Sequence, residues 1–513
     1  MLSREFRFRL SVVAAVVLVG GVAFAATFTG TVEEVSPDDN EISIKLVGKQ
    51  GTVKKFTLTP ATQVLVDGKK VTLADVEAGQ AATVIADNSN NATRLTLKNA
   101  KGKSTGGGGS KATKSAGSAG TRASSAEGEW PQYRGPNRDN ISTDKGLLES
   151  WPADGPKLAW KQTGIGLGYS SVAIAEGKLF TMGNRGDDEM LLAFNVSTGE
   201  PIWATKTGRA YHDGTGDGPR GTPTIDKDHV YALGANGDLV CADTEKGDVV
   251  WQKNILQEFG GNNITWGISE SVLIDDDKLI CSPGGKQGTI VALNKMTGRP
   301  IWQSKVQGTP QAAYSSLIAV DFGGVRQYVN FVHTGVVSVS AKDGSPLWGF
   351  RESANGTANC STPLYSNGSV YTSSGYGEGA ASFKLAPGGK ASLAYSNKGL
   401  DNHHGGMVLL DGHVYGFGEQ ALKCIDLKSG KEKWKDRSVG KGSVTYADGH
   451  LYLRSENGPV ALAAASPDGY DEKGRFDPPN RSNEHAWSHP VVCGGKLYLR
   501  DQDVLLCYDV KAK

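Results

Sequence analysis

One phrase recurs along this chain: AFNVSTGEPIW (Ala193–Trp203), CADTEKGDVVW (Cys241–Trp251), ALNKMTGRPIW (Ala292–Trp302), SVSAKDGSPLW (Ser338–Trp348) and CIDLKSGKEKW (Cys424–Trp434). Each copy is a short apolar run, a polar turn carrying Gly, and a second run ending in Trp. The first four Trp are spaced by 48, 51 and 46 residues. Self-similarity at a period of roughly 40–50 residues belongs to propellers and solenoids, whose units bury their apolar faces only by stacking on their neighbours. That repetition overrides the several domains a chain of 513 residues otherwise suggests.

Counting strand-end aromatics gives Trp203, Trp251, Trp302, Trp348, Tyr395, Trp434 and Phe476, hence seven complete blades. The fifth, FKLAPGGKASLAY, keeps the turn but ends in Tyr395, and the copy near Phe476 is longer and looser. The last stretch, SHPVVCGGKLYLRDQDVLLCYDVKAK, supplies three strands, and PKLAWK (156–161) supplies the fourth, with Trp160 at the strand-end position. Pairing the two segments closes a ring of eight four-stranded antiparallel blades over about 158–513 and removes two exposed sheet edges. Trp160, Trp203, Trp251, Trp302, Trp348 and Trp434 then form a girdle, each ring packing on the next blade and burying some 150–250 Å2.

The remainder of the chain reads differently. Arg4, Arg7 and Arg9 precede an apolar run, Leu10 to Phe24, and Ala23-Phe24-Ala25 offers a small-x-small cleavage site. This predicts an export signal over 1–25 and a periplasmic or secreted protein. The run is shorter than the ~20 residues of a spanning helix, so a membrane contact follows only if the signal stays uncleaved. Residues 27–100 alternate apolar and polar residues in six short runs between turn residues, which predicts a small β-barrel-like domain, OB-like or similar. Residues 101–129, rich in Gly, Ser, Ala and Lys, read as a flexible linker. The net charge of +1 gives no electrostatic footprint for nucleic acid. Six scattered Cys show neither a disulfide framework nor a zinc spacing. Cys241, Cys424 and Cys507 hold the repeat position of Ala193 and Ala292, which predicts buried small apolar side chains.

On these residues the chain resembles the pyrroloquinoline-quinone (PQQ) repeat family, eight-bladed all-β propellers whose blades carry a tryptophan-docking phrase of the form A-x-D-x-x-T-G-x-x-x-W. Ala193–Trp203 and Ala292–Trp302 match closely, and the resemblance covers roughly 130–513. Trp130-Pro131-Gln132-Tyr133-Arg134-Gly135-Pro136-Asn137 is similar to the opening phrase of PQQ-like propellers of environmental bacteria. The family includes quinoprotein alcohol and sugar-polymer dehydrogenases and non-enzymatic members such as the propeller lipoprotein of the outer-membrane barrel-assembly machinery.

In a propeller, the segments leading from one blade's outer strand to the next blade's inner strand cross one face beside the axis. Loops on a rigid scaffold are where function concentrates. Here these segments are GLGYSS (166–171), HDGTGDGPRGTP (212–223), TWGISES (265–271), AAYSSL (312–317), ANCSTP (358–363), DNHHGG (401–406), GKGSVTY (440–446) and EHAWSHP (484–490). They predict an axial pocket drawn from Tyr169, Ser170, Arg220, Trp266, Glu270, Tyr314, Asn359, His403, His404, Lys441, Trp487 and His489. Arg220 and Lys441 suit the carboxylates of an anionic planar ligand, and the aromatic rings suit its faces. Glu270 with Asn359 offers oxygen donors to a hard cation such as calcium. His403 or His404 with His489 offers a transition-metal pair or a base. The plain alternative is polar residues lining a solvated channel. His229, His413 and His450 open hairpin strands and read as turn residues.

Two function classes follow. One is an exported cell-envelope propeller that binds or scaffolds an envelope protein, polymer or small molecule through its axial face. The other, implied by the resemblance, is a PQQ- and calcium-dependent quinoprotein dehydrogenase of an alcohol or sugar, with Asp217 or Asp401 as candidate base. Departures weigh against the second: the chain has no adjacent Cys pair, no haem-attachment CxxCH, and no evident calcium and Asp set.

Overall fold

The computed structural model describes residues 26–36, 40–46, 52–66, 69–70, 72–73, 76, 78–87, 90–98, 128–308 and 310–512. The predicted signal, 1–25, and nearly all of the predicted linker, 101–127, lie outside them. The chain divides into two compact units, Met1–Ala112 and Thr113–Lys513.

The first unit is built from β1 (Ala26–Ser36), β2 (Glu41–Leu46), β3 (Val53–Val66), the two-residue β4 (Lys69–Lys70), β5 (Ala81–Ala86) and β6 (Asn91–Lys98). The apolar members of the alternating runs point one way and are removed from water: Ile42, Ile44, Phe56, Val84, Leu95 and Leu97 form the core. Pairing runs β1-β2-β3-β6-β5 and back to β1, with β3 and β6 parallel and the other pairs antiparallel. A ring of five strands in this order is an OB-type Greek-key barrel. Two of the six sequence runs, TVKKFTLT and TQVLVD, fuse into the single strand β3. Its register against β6 shifts between Leu58 and Gln63, which lets one long strand bend around the barrel.

The second unit is an eight-bladed propeller. Seven four-stranded antiparallel sheets follow one another in chain order, and the eighth is completed by β7 (Lys157–Thr163), which pairs with Val504–Asp509. In that pairing Trp160 faces Cys507, so the closure joins the two segments foreseen from the sequence, and at the same register. Inner strands such as Ala173–Ala175 are wholly buried, whereas outer strands such as Pro201–Arg209 alternate toward solvent.

The repeated phrase is explained by contacts between blades. Its small first residue faces the Trp across the outer hairpin (Ala193 with Trp203, Cys241 with Trp251, Ala292 with Trp302, Ser338 with Trp348, Cys424 with Trp434), and a β-bulge follows each pair. The Trp ring lies over the turn Gly of the next blade. A Cβ on Gly199, Gly247 or Gly298 would stand 2.6, 2.6 or 2.9 Å from the ring of Trp160, Trp203 or Trp251. The indole N–H donates to a carbonyl of that same turn: Trp160 to Val196 (3.2 Å), Trp203 to Thr244 (3.1 Å), Trp251 to Lys295 (2.9 Å). In the fifth blade the Tyr395 hydroxyl makes the equivalent bond to Leu427 O, 2.7 Å. The Asp or Asn of the phrase shapes the turn, as Asn195 Oδ1 accepts the Ser197 and Thr198 amides. All six Cys are free, and Cys241, Cys424 and Cys507 are fully buried beneath the girdle.

The seventh blade corrects the sequence reading. Phe476 is not at the girdle position: Leu462 faces Gly474, and the bulge follows that pair. Trp151, from the segment before the first strand, fills the gap. Its amide donates to Lys473 O (2.9 Å), its Cβ lies 2.8 Å from where a Gly474 Cβ would stand, and its ring meets Tyr452 at 5.8 Å. Tyr452 faces Leu462 just as Tyr415 faces Cys424 beneath Trp434, so an indole borrowed from elsewhere in the chain occupies the missing place. Phe476 packs beside it instead, 5.4 Å from Trp151 and 4.9 Å from Tyr508.

Candidate ligand site on the propeller axis

The segment from Trp130 to Ser142 lies across the propeller axis. Trp130 exchanges backbone hydrogen bonds with Ile174 of the first blade, and Pro131 O accepts from Ile225 of the second. Arg138 donates to Ser271 O (2.7 Å) and Val272 O (3.0 Å) beside the third. On the far side Arg134 reaches Met407 O of the sixth blade (2.6 Å), and Asn140 and Ser142 pair with Tyr446 of the seventh. Both arginines are buried. A buried guanidinium keeps its charge tolerable through such carbonyl bonds, which is why a short segment can plug the channel without an ion pair.

Above this plug is a cavity of about 280 Å3. It is lined by Tyr133 of the plug and by residues of the loops entering blades one to six and eight. Eight of the twelve residues singled out from the sequence face it: Tyr169, Arg220, Trp266, Tyr314, His403, His404, Trp487 and His489. The other eight lining residues, Tyr133, Ser171, Thr215, Thr222, Ser269, Ala358, Cys360 and Tyr376, were not among the twelve. Tyr133 was legible only as part of an opening phrase, and Tyr376 sits in a hairpin within the fifth blade that nothing in the repeat marks.

Aromatic rings dominate the wall. Tyr169 and Trp487 meet at 4.6 Å, Trp266 and Tyr314 at 5.6 Å, and His404 stands 4.7 Å from Trp487. Arg220 is held by Gly218 O (2.7 Å) and Gly216 O (2.9 Å) with its guanidinium over the rings of Tyr169 (5.4 Å) and Tyr211 (5.2 Å). His403 and His404 stack at 4.0 Å. Burial, then the neighbouring His404 and Lys441, drives His403 down to about 2, and burial with the Arg134 charge takes His489 to about 4. Both rings are neutral at ordinary pH. Burial likewise pushes the Cys360 thiol up to about 12, so it stays protonated.

The other four residues stand behind the wall. Lys441 Nζ donates to His403 Nδ1 (2.7 Å) and pairs with Glu419 (3.2 Å). Ser170 is buried in the scaffold, accepting the Met182 amide (3.2 Å). Glu270 and Asn359 do not reach the cavity as a cation pair. The Glu270 carboxyl takes the Ser282 amide (2.7 Å) and hydroxyl (3.0 Å), and burial raises it to about 8. Asn359 binds the carbonyls of Val332 and His333 and the amide of Asn355. His489 does not pair with His403 or His404 as a metal ligand, because its Nε2 donates to His404 O (3.0 Å). Among the described residues no group of three or more His, Cys, Asp or Glu is placed to hold a metal ion.

The donor set decides the fit of a PQQ–calcium centre. Calcium takes oxygen ligands, carboxylates foremost. No Asp or Glu lines the cavity, Asp401 is paired with Lys423 (2.9 Å), and Asp217 bonds His212 (2.9 Å). The residues present do not fit that centre.

Comparison with known proteins agrees with the architecture. The profile of the family described as Outer membrane protein assembly factor BamB (PQQ_2) matches residues 114–281 and 187–436. The outer membrane protein assembly factor BamB of Shewanella oneidensis is 24% identical over 234 residues, 43% of this chain; the match spans about half of that relative, 52%. Two quinohemoprotein alcohol dehydrogenase structures share the fold. That from Comamonas testosteroni is 13% identical with a TM-score of 0.55, covering 76% of this chain and 82% of its own. That from Pseudomonas putida HK5 is 12% identical with a TM-score of 0.52, covering 75% and 81%. Matched across most of its propeller and docked blade to blade by the same Trp phrase, this chain belongs to the PQQ-repeat family that the BamB profile describes.

Proposed function

We propose that this is an exported cell-envelope protein whose propeller is a non-catalytic binding module, holding an envelope protein, polymer or small molecule at its axial face. The observation that carries the reading is the plugged cavity: a cup walled by aromatic rings and the Arg220 guanidinium, with no carboxylate in its lining. Such a wall suits recognition of a ligand: burial lowers His403 to about 2 and His489 to about 4, which makes both weak bases, His404 is lowered by burial with its Nδ1 tied to Glu456 at 2.9 Å, and the Cys360 thiol stays protonated. The relationship to an outer membrane protein assembly factor supports a periplasmic setting and a protein or polymer partner.

The test uses the full chain. Incubated with PQQ and calcium, it is expected to show neither quinone absorbance nor dye-linked oxidation of alcohols or sugars. Immobilised, it should retain an envelope polymer or protein fraction that a Trp266→Ala/Trp487→Ala double variant, folded by circular dichroism, releases. Turnover with PQQ, or retention indifferent to the double variant, overturns the reading.

A further inference from the structure

The chemistry of the cup selects among ligands. Its wall presents donors that the protein leaves without acceptors. The Trp487 indole N–H makes no hydrogen bond within the protein. Arg220 has no ion pair among the described residues. Asp213 is the nearest carboxylate influence on it, but that side chain accepts the Thr215 amide at 2.8 Å. His403, whose Nδ1 accepts from Lys441, carries its proton on Nε2 and is a further donor. A ligand rich in acceptor oxygens would complete the hydrogen bonds that Arg220 and His403 leave open toward the cup.

The wall also offers acceptors. The Ser269 hydroxyl donates to Gly267 O (3.2 Å) and the Thr215 hydroxyl donates to Asp213, so each oxygen keeps its lone pairs to accept with. Between these polar points lie ring faces, Trp266 beside Tyr314 and Tyr169 beside Trp487. A ligand meeting all three demands has an anionic oxygen group for Arg220, hydroxyls for Ser269 and Thr215, and an apolar face for the rings. Benzoate lacks the hydroxyls and neutral sugars lack the anion, whereas a sugar acid carries all three features on one ring. With about 280 Å3 and a floor at Tyr133, the cup takes a ring or two and cannot be threaded.

Resting on the reading of the cup as the binding site, we propose that it receives the terminal uronic acid of an acidic glycan. The pyranose C–H face stacks on the aromatic wall and the carboxylate meets Arg220, an arrangement that does not need calcium.

Titrating the full chain with a glucuronate-terminated disaccharide, read by tryptophan fluorescence and calorimetry, tests this. The neutral glucose-terminated match is expected to bind at least about tenfold more weakly, the value of one charge-assisted hydrogen bond. Arg220→Gln should remove that preference. Arg220 also ties down Gly216 and Gly218, so Trp266→Ala, on a partly exposed wall residue, is the second variant and should weaken both sugars. Equal binding of charged and neutral sugars, or no uronate binding at millimolar concentration, overturns the proposal. Binding of benzoate or PQQ in place of uronate, still lost in Trp266→Ala, refutes the sugar class alone and leaves the cup as a binding site. Retention of envelope material indifferent to the cavity variants refutes the binding-module reading itself.

Discussion

Replacing Gly344 by Ala tests why the repeat needs glycine where Trp docks. Gly344 sits at φ +72°, and a Cβ built there would lie 2.4 Å from Trp302 Cε3 and 2.9 Å from Cδ2 and Cζ3. Carbon atoms pack at about 3.5–4.0 Å, so the indole must retreat by roughly 1 Å. A gap of that size forfeits about a quarter to a half of the contact energy. A docked Trp buries about 150–250 Å2, worth some 4–6 kcal/mol at about 25 cal/mol per Å2, so the retreat costs about 1–3 kcal/mol. The left-handed backbone adds about 1–2 kcal/mol for any L side chain. Gly177→Ala separates the two contributions, because that Gly lies at φ +76° with nothing within 4 Å of its Cβ position. Trp302 suits the test further because its indole N–H makes no hydrogen bond, so none is lost. Urea unfolding followed by circular dichroism should place Gly344→Ala about 1–3 kcal/mol below Gly177→Ala. Equal stabilities for the two variants would refute blade docking as the reason for the glycine.

Two further predictions concern the borrowed indole and the buried carboxyl. Trp151→Ala should destabilise the propeller by about 3–5 kcal/mol, as loss of a core aromatic does, although Trp151 lies outside every blade; a surface-sized change in the urea midpoint would show that it is not part of the girdle. Glu270, raised to about 8 by burial, binds more protons folded than unfolded between pH 4.5 and 8. Its contribution to stability is therefore complete at low pH and is lost as pH rises through 8. Glu270→Gln should flatten that part of the stability profile relative to the unsubstituted chain, and parallel profiles from pH 5 to 9 would contradict the assignment.

Much of the fold is legible because its instructions are local. The small residue and the Trp it faces are ten positions apart, and the Gly and Asp between them set the turn, so each hairpin announces itself. The closing strand was legible for the same reason: Trp160 carries the girdle mark without a hairpin of its own. Phe476 misled because aromatic identity stood in for register, and only the bulge after Leu462 shows that Gly474 holds the position. The axial loops were found by exclusion, as the stretches that do not repeat. Their order in the chain says nothing of which side chains turn inward, and so Glu270 and Asn359 looked like ligands while serving the scaffold.

The amino-acid sequence by itself determined the number of blades, the closure of the ring and the residues that dock one blade on the next, because those depend on patterns a few residues long. Tertiary structure alone decided what occupies the axis. Arg134 meets Met407 across 273 residues, and Asn140 comes within 3.4 Å of His489 across 349. Only a closed ring brings such positions together. The plug, the cup above it and the indole that Trp151 lends to the seventh blade exist because closure leaves places that no local pattern encodes, and distant side chains of the right size and charge fill them.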